Sequence, residues 1–126
     1  MDPTQSVKIL LIDDDPFITD MYVLKFKDAG FQIETARDGK EGLKKAREFN
    51  PDIVLLDIVM PGMDGFGVLE ELRKDSRSPK VILLTNLGQK EDVERGMRLG
   101  ADDYVIKAHF TPSEVMDKIK NVLQKR

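Results

Sequence analysis

The stretch Val7-Lys8-Ile9-Leu10-Leu11-Ile12-Asp13-Asp14 decides the fold. Its apolar part is short and does not alternate with polar residues. Such a run reads as a strand buried on both faces, the mark of a parallel sheet. It ends in acid. Two more runs of the same kind end in polar side chains: Ile53–Leu56 in Asp57, and Val81–Leu84 in Thr85. A fourth, Tyr104–Ile106, ends in Lys107. Parallel strands point their C-terminal ends the same way, and in open α/β sheets that edge is where ligands bind. Three acids, a hydroxyl and an ammonium are therefore expected to converge on one edge.

The segments between these runs have helical spacing. Pro16 opens the first, since its missing N–H is not needed in a first turn. Ile18, Tyr22, Phe26 and Ala29 follow, and Gly30 closes it. Residues 32–36 read as a second strand, Asp38-Gly39 as a turn, and residues 41–49 as a helix carrying Leu43, Ala46 and Phe49. Asn50-Pro51 stops that helix. The third strand covers residues 53–57. Met60-Pro61-Gly62-Met63-Asp64-Gly65 is a loop by composition, and the short helix after it turns Val68, Leu69 and Leu72 inward. Ser78-Pro79 breaks it before the strand at residues 80–85. A helix over residues 89–99 carries Val93, Gly96 and Met97 on one face, and a strand follows at residues 103–106. Thr111-Pro112-Ser113-Glu114 is a capping box opening a helix with Val115, Ile119, Val122 and Leu123 inward. Strand and helix alternate throughout, which predicts an α/β fold: one doubly wound, five-stranded parallel sheet with helices on both faces.

Composition narrows the function classes. A length of 126 residues suits a single domain, with its core at about residues 7–123. Hydrophobic residues at 40% suffice for a core, and a net charge of -3 makes nucleic acid no default partner. With no cysteine there can be no disulfide, thiolate metal site or cysteine nucleophile. No apolar run approaches the roughly 20 residues of a membrane span, and no signal peptide is visible, so a cytoplasmic location and no membrane association are expected. The chain ends with its fifth helix, which suggests that no output domain is attached. The polar tail Gln124-Lys125-Arg126 equally allows a truncated linker from a longer protein.

Asp13, Asp14 and Asp57 packed together repel one another, and at least one should hold its proton unusually tightly unless a cation fills the site. A hard cation with oxygen ligands is the natural remedy. Mg²⁺ keeps several waters and takes few carboxylates, so this set suits it better than a caged Ca²⁺; no His/Cys set exists for Zn²⁺. An Asp carboxylate can itself accept a phosphoryl group. The metal, the Lys107 ammonium, the Thr85 hydroxyl and backbone N–H groups after Asp57 would neutralise the equatorial oxygens of the transition state. Singly, each residue has a plainer role. Asp15 and Asp38 read as helix N-caps or loop acids, and Asp52, Asp64, Asp102 and Asp103 as loop or turn acids. Thr85 alone would be a strand-end hydroxyl, Lys107 a solvated lysine, and Met60 and Met63 packing residues. His109, the only histidine, fits no ligand pattern. The functional reading rests on these residues ending four strands of one sheet.

As a set, these motifs identify the chain as resembling a receiver domain of the two-component response regulators, in the stand-alone, chemotaxis-regulator form. The resemblance covers about residues 7–123 and implies the flavodoxin-like strand order 2-1-3-4-5. It implies that Asp57, in Leu55-Leu56-Asp57-Ile58-Val59-Met60-Pro61, is the phosphoryl acceptor. Asp14, Asp13, Asp57 and the Val59 backbone carbonyl would hold Mg²⁺. Thr85 and Lys107 would bond phosphoryl oxygens, and Tyr104 would rotate inward as Thr85 moves. A histidine kinase or phosphotransfer protein would donate the phosphoryl group. The fourth helix, fifth strand and fifth helix, from about Gln89 to Lys120, would form the partner-binding or dimerisation face, in a monomer or a phosphorylation-dependent dimer. Such a domain catalyses its own phosphorylation and dephosphorylation but serves mainly as a switch.

Two departures from the family pattern stand out. Ala108 follows Lys107 where the family usually has proline, often cis; a non-proline cis bond costs roughly 2.5–4 kcal/mol, so this peptide is either trans or a strained cis bond. Asn86 follows Thr85 where a small residue is usual, and is expected to tune access to the phosphoryl group. Two rival readings differ in class. One is a receiver-like adaptor that is never phosphorylated, against which the full residue set argues. The other is a haloacid-dehalogenase-like phosphatase, whose second acid would fall at position 59, here Val59.

Overall fold

The central strand β1 (Lys8–Ile12) pairs in parallel with β2 (Gln32–Ala36) on one side and with β3 (Ile53–Asp57) on the other. β4 (Lys80–Thr85) and β5 (Asp103–Ile106) extend the sheet beyond β3, giving the order β2-β1-β3-β4-β5. The computed structural model describes residues 7–60, 62–75, 78–86 and 90–124. The helices are α1 (Pro16–Asp28), α2 (Gly39–Phe49), α3 (Gly65–Arg73), α4 (Lys90–Arg98) and α5 (Pro112–Gln124). The expected α/β class, parallel pairing and strand order are all present. The strand order rested on the family resemblance, because apolar runs do not encode which neighbour a strand takes.

Alternation along the strands builds two cores. Leu10, Ile12, Val54, Leu56, Val81 and Leu83 pack with Leu43 of α2 and Val68, Leu69 and Leu72 of α3. Ile9, Leu11, Ile53, Leu55, Ile82 and Leu84 point to the other face, against Tyr22 and Phe26 of α1 and Val115, Ile119 and Val122 of α5. Both faces of β1, β3 and β4 are therefore dry, which explains why their sequences do not alternate with polar residues.

Local chemistry sets the helix ends. Asp15 caps α1 through Oδ1, which accepts the Phe17 N–H at 2.9 Å, and Pro16 occupies the first turn as expected. The capping box of α5 is formed in both directions: Thr111 Oγ1 accepts the Glu114 N–H at 3.2 Å, and Glu114 Oε1 accepts the Thr111 N–H at 3.1 Å. Asp38-Gly39 is not a free-standing turn. Asp38 Oδ1 accepts the Glu41 N–H at 2.9 Å, so α2 starts at Gly39, two residues earlier than its apolar pattern indicates. Gln89, expected to open α4, lies outside the described residues. Met97 was expected inward with Gly96, but is 39% exposed; only Gly96 of α4 is buried. The segment after Lys107 is a 3₁₀ turn over Lys107–His109 rather than an irregular loop. No cis peptide bond occurs among the described residues, so Lys107–Ala108 is trans.

Gly65 lets α3 start directly beneath the end of β3. A Cβ there would lie 2.5 Å from the Asp57 carbonyl oxygen and 2.7 Å from Ile58 Cα, so a side chain would displace the backbone that carries Asp57. The Gly65 N–H bonds the Ile58 carbonyl at 2.9 Å across this contact. Among the described residues, no helix is long and apolar enough to cross a membrane.

Candidate functional site

At the carboxyl edge of the sheet β1 runs directly into Asp13 and Asp14, while β3 ends on Asp57. Because the two strands are adjacent, the three carboxylates meet: each offers an oxygen, and these oxygens all lie within 4.8 Å of one another. Asp13 and Asp57 are buried and Asp14 is exposed, so the cluster has two inner acids and one at its mouth. Lys107, just past β5, reaches in from the far side. Its Nζ is 2.6 Å from Asp13 Oδ2 and 3.3 Å from Asp57 Oδ2, with only 8% of the side chain exposed. The solvated-lysine reading of Lys107 therefore fails: packing at the end of β5 folds the side chain over the acids.

Donors fix the carboxylates. The Asp15 N–H bonds Asp13 Oδ1 at 2.9 Å, and the Val59 N–H bonds Asp57 Oδ1 at 3.3 Å. The charge count remains unbalanced, with three acids facing one ammonium. Burial pushes the Asp57 carboxyl up from its ordinary 3.8 to about 6; Lys107 opposes the shift, the Asp13 charge adds to it, and the Val59 hydrogen bond opposes it. For Lys107 burial pulls the other way, yet the hydrogen bond to Asp13 and the charges of Asp57 and Asp13 hold its pKa above the usual lysine value. Tyr22 lies under the site; its phenol is raised by burial and by the charge of Asp13. The expectation that one acid of the trio holds its proton unusually tightly is met at Asp57.

The donor set suits a hard cation. Three carboxylate oxygens converge with no nitrogen or sulfur ligand among them, and burial holds one of the acids, Asp57, above its ordinary carboxyl pKa. Val59 lies at the rim with 66% of its surface exposed and its N–H turned to Asp57.

The remaining predicted residues surround this centre. Thr85 ends β4 and is 2% exposed; Leu84 is the register partner of Asp57, so Thr85 lies one residue further along the neighbouring strand. Its hydroxyl donates to the Asn86 carbonyl at 2.8 Å. The Asn86 side chain is exposed beside it. Tyr104 lies on β5 at 38% exposure, away from the acids. A hollow of about 280 Å³ opens beside Asp13 and Asp14, walled by Pro16, Thr19, Asp20 and Arg37.

The family model described as the response regulator receiver domain matches residues 9–120. The chain belongs to this family. Among curated relatives, this receiver domain is 43% identical over 118 residues to a probable transcriptional regulator ycf27 of Guillardia theta, covering 94% of this chain and 46% of that one. It is 38% identical over 122 residues to the DNA-binding response regulator MtrA of Mycolicibacterium smegmatis, covering 97% and 53%. The chain thus spans about half the length of the curated relatives it matches. Among solved structures, the Vibrio cholerae chemotaxis protein CheY4 superposes with a TM-score of 0.86 at 31% identity, covering 92% of this chain and 98% of that one.

Sequence reasoning placed Asp13, Asp14, Asp57, Thr85 and Lys107 at one edge of the sheet, where the structure has them, but missed how they touch. Nothing in the sequence marks the Lys107–Asp13 contact as closer than Lys107–Asp57, or Val59 as a donor to Asp57. Asp102 and Asp103, read above as loop or turn acids, are both ion-paired. Within the chain Asp103 pairs with Lys118 at 3.3 Å, and Asp102 pairs with Arg73 at 3.0 Å and with Lys80 at 3.8 Å.

Proposed function

We propose that this receiver domain is a phosphorylation-controlled switch in the cytoplasm whose Asp57 accepts a phosphoryl group from a sensor histidine kinase or a phosphotransfer protein. The observation that carries the reading is the meeting of Asp13, Asp14 and Asp57 with the Lys107 ammonium at the carboxyl edge of the sheet. An Asp57 Oδ attacks phosphorus, the P–N bond to the donor imidazole breaks, and the imidazole leaves with the bonding pair. Lys107, already 3.3 Å from Asp57, is placed to neutralise a phosphoryl oxygen, and the Val59 N–H, which bonds the same carboxylate, can follow the added group. Asp13, Asp14, Asp57 and the Val59 carbonyl would hold Mg²⁺. The bound ion supplies positive charge against the oxygens of the transferring group. Asn86, exposed beside Thr85, tunes access to the acyl phosphate.

Phosphorylation adds charge where Lys107 and Thr85 can turn toward it, and biases a two-state surface made by α4, β5 and α5. That face binds the downstream protein or a second copy of the chain, with no direct contact to nucleic acid or membrane. In the test, intact mass is measured after incubation with acetyl phosphate, with and without Mg²⁺, for the wild type and Asp57→Asn. The expected result is a Mg²⁺-dependent gain of one phosphoryl group that the variant loses. No gain in the wild type, or an equal gain in the variant, refutes the reading.

A further inference from the structure

Lys118 of α5 makes contacts that the phosphoryl chemistry does not use. Its Nζ lies 5.3 Å from the centroid of the Tyr104 ring and 5.2 Å from that of Phe110, so the ammonium sits against two aromatic side chains. The same Nζ donates to the Tyr104 carbonyl oxygen at 3.0 Å and to Asp103 Oδ1 at 3.3 Å. Asp103 Oδ1 in turn accepts the Tyr104 N–H at 2.8 Å. One backbone and one carboxylate oxygen tether the ammonium to β5, and neither belongs to the Tyr104 side chain. The ring contact exists only while the ring is outward, as it is here at 38% exposure.

A contact present in one of two states shifts the population toward that state by its own free energy. We propose that Lys118 is a latch on Tyr104: its tethered ammonium holds the ring outward and so opposes the activated arrangement, a regulation that rests on the receiver reading above. Lys118 touches neither the acids nor the phosphoryl site, so it is a positioning residue. A cation against an aromatic face at a partly exposed site shifts a two-state equilibrium by about two- to fivefold. Asp103 belongs to the device because it fixes the ammonium, and Phe110 adds the second ring.

The chain holds two tyrosines, and Tyr22 is buried at 1% exposure, so fluorotyrosine labelling yields one internal reference and one reporter. The ¹⁹F shift on moving from H₂O to D₂O reads the exposure of each ring in the full chain without phosphorylation. Lys118→Met keeps length and apolar bulk but removes the charge; Lys118→Arg keeps a cation able to stack on both rings. In Lys118→Met the isotope shift of Tyr104 is expected to fall as the inward population rises about two- to fivefold, with Tyr22 unchanged and Lys118→Arg restoring the wild-type value. An unchanged Tyr104 shift in Lys118→Met overturns the latch, and so does a loss that Lys118→Arg fails to restore. Intact mass after acetyl phosphate and Mg²⁺ is recorded on the same samples. A wild type that takes up no phosphoryl group defeats the receiver reading alone, because the latch is judged in the unphosphorylated protein.

Discussion

Two ion clusters sit at opposite edges of the same sheet, and they are built to different ends. At the amino edge, the Arg73 guanidinium donates to the Gly100 carbonyl at 3.0 and 2.6 Å, to the Pro79 carbonyl at 2.6 Å, to Asp102 Oδ2 at 3.0 Å, and to the Ser78 hydroxyl. Asp102 Oδ2 also accepts the Val81 N–H at 2.8 Å. Every direction of the guanidinium is used, and its charge meets the Asp102 carboxylate, which the more exposed Lys80 also reaches at 3.8 Å. This clamp ties the end of α3 to the starts of β4 and β5. At the carboxyl edge three acids converge, Lys107 pairs with two of them, Asp13 and Asp57, and burial raises the Asp57 carboxyl. The first cluster is closed by hydrogen bonds between distant segments. The second is buried, raises the Asp57 carboxyl, and offers oxygen donors that suit a hard cation. Like charges converging in a buried place, rather than the mere presence of charged residues, separate the candidate functional cluster from the structural one.

Substitutions can break or sharpen that contrast. The largest effect is expected for Arg73→Ala, which strips the hydrogen bonds from two carbonyls and a carboxylate. Charge-assisted bonds of this kind contribute about 1.5–3 kcal/mol, and the clamp is partly exposed, so a loss within that range is expected by urea denaturation. Phosphoryl uptake at Asp57 should stay stoichiometric in the variant; its abolition would mean that the two edges are not independent.

Asp57→Asn should move stability in the opposite direction. The folded protein keeps the Asp57 proton up to about pH 6, whereas the ordinary carboxyl releases it at 3.8. The unfolded chain therefore loses the proton first as pH rises, and wild-type stability falls between those values and levels off above them. Asparagine carries no such cost. In metal-free buffer the variant is expected to gain about 1–2 kcal/mol on the wild type between pH 4 and pH 7, after allowance for residual solvation. Millimolar Mg²⁺ should narrow that gap by stabilising the wild type alone. A gap that stays flat with pH would contradict the unbalanced-charge account.

The smallest effect on stability is expected for Asn86→Ala, since the Asn86 side chain is exposed. What should change is the lifetime of the acyl phosphate. A shortened lifetime by mass decay is expected, because the amide narrows access for water; an equal lifetime in the two proteins would remove Asn86 from the site.

Much of this was readable from the chain. Apolar runs without alternation announced buried parallel strands, because only a sheet covered on both faces leaves no side of a strand for polar residues. The acids, hydroxyl and lysine at the ends of those runs had to share an edge, since parallel strands end together. Local capping chemistry was legible at Pro16 and at Thr111 to Glu114, where donor and acceptor lie within one turn. It was missed at Asp38, because the apolar pattern of α2 begins later than its hydrogen bonding.

What only the tertiary structure decided are contacts between residues far apart in sequence. Lys107 meets Asp13 more closely than Asp57, Arg73 closes on Gly100 and Asp102, and Lys118 settles on Tyr104. Periodicity reports which way a side chain faces relative to its own element and says nothing about what stands opposite. Long cationic side chains reach several ångströms from their backbones, so their partners are selected by packing and by which carboxylate is already bonded, and both are settled only when the sheet and its helices are assembled.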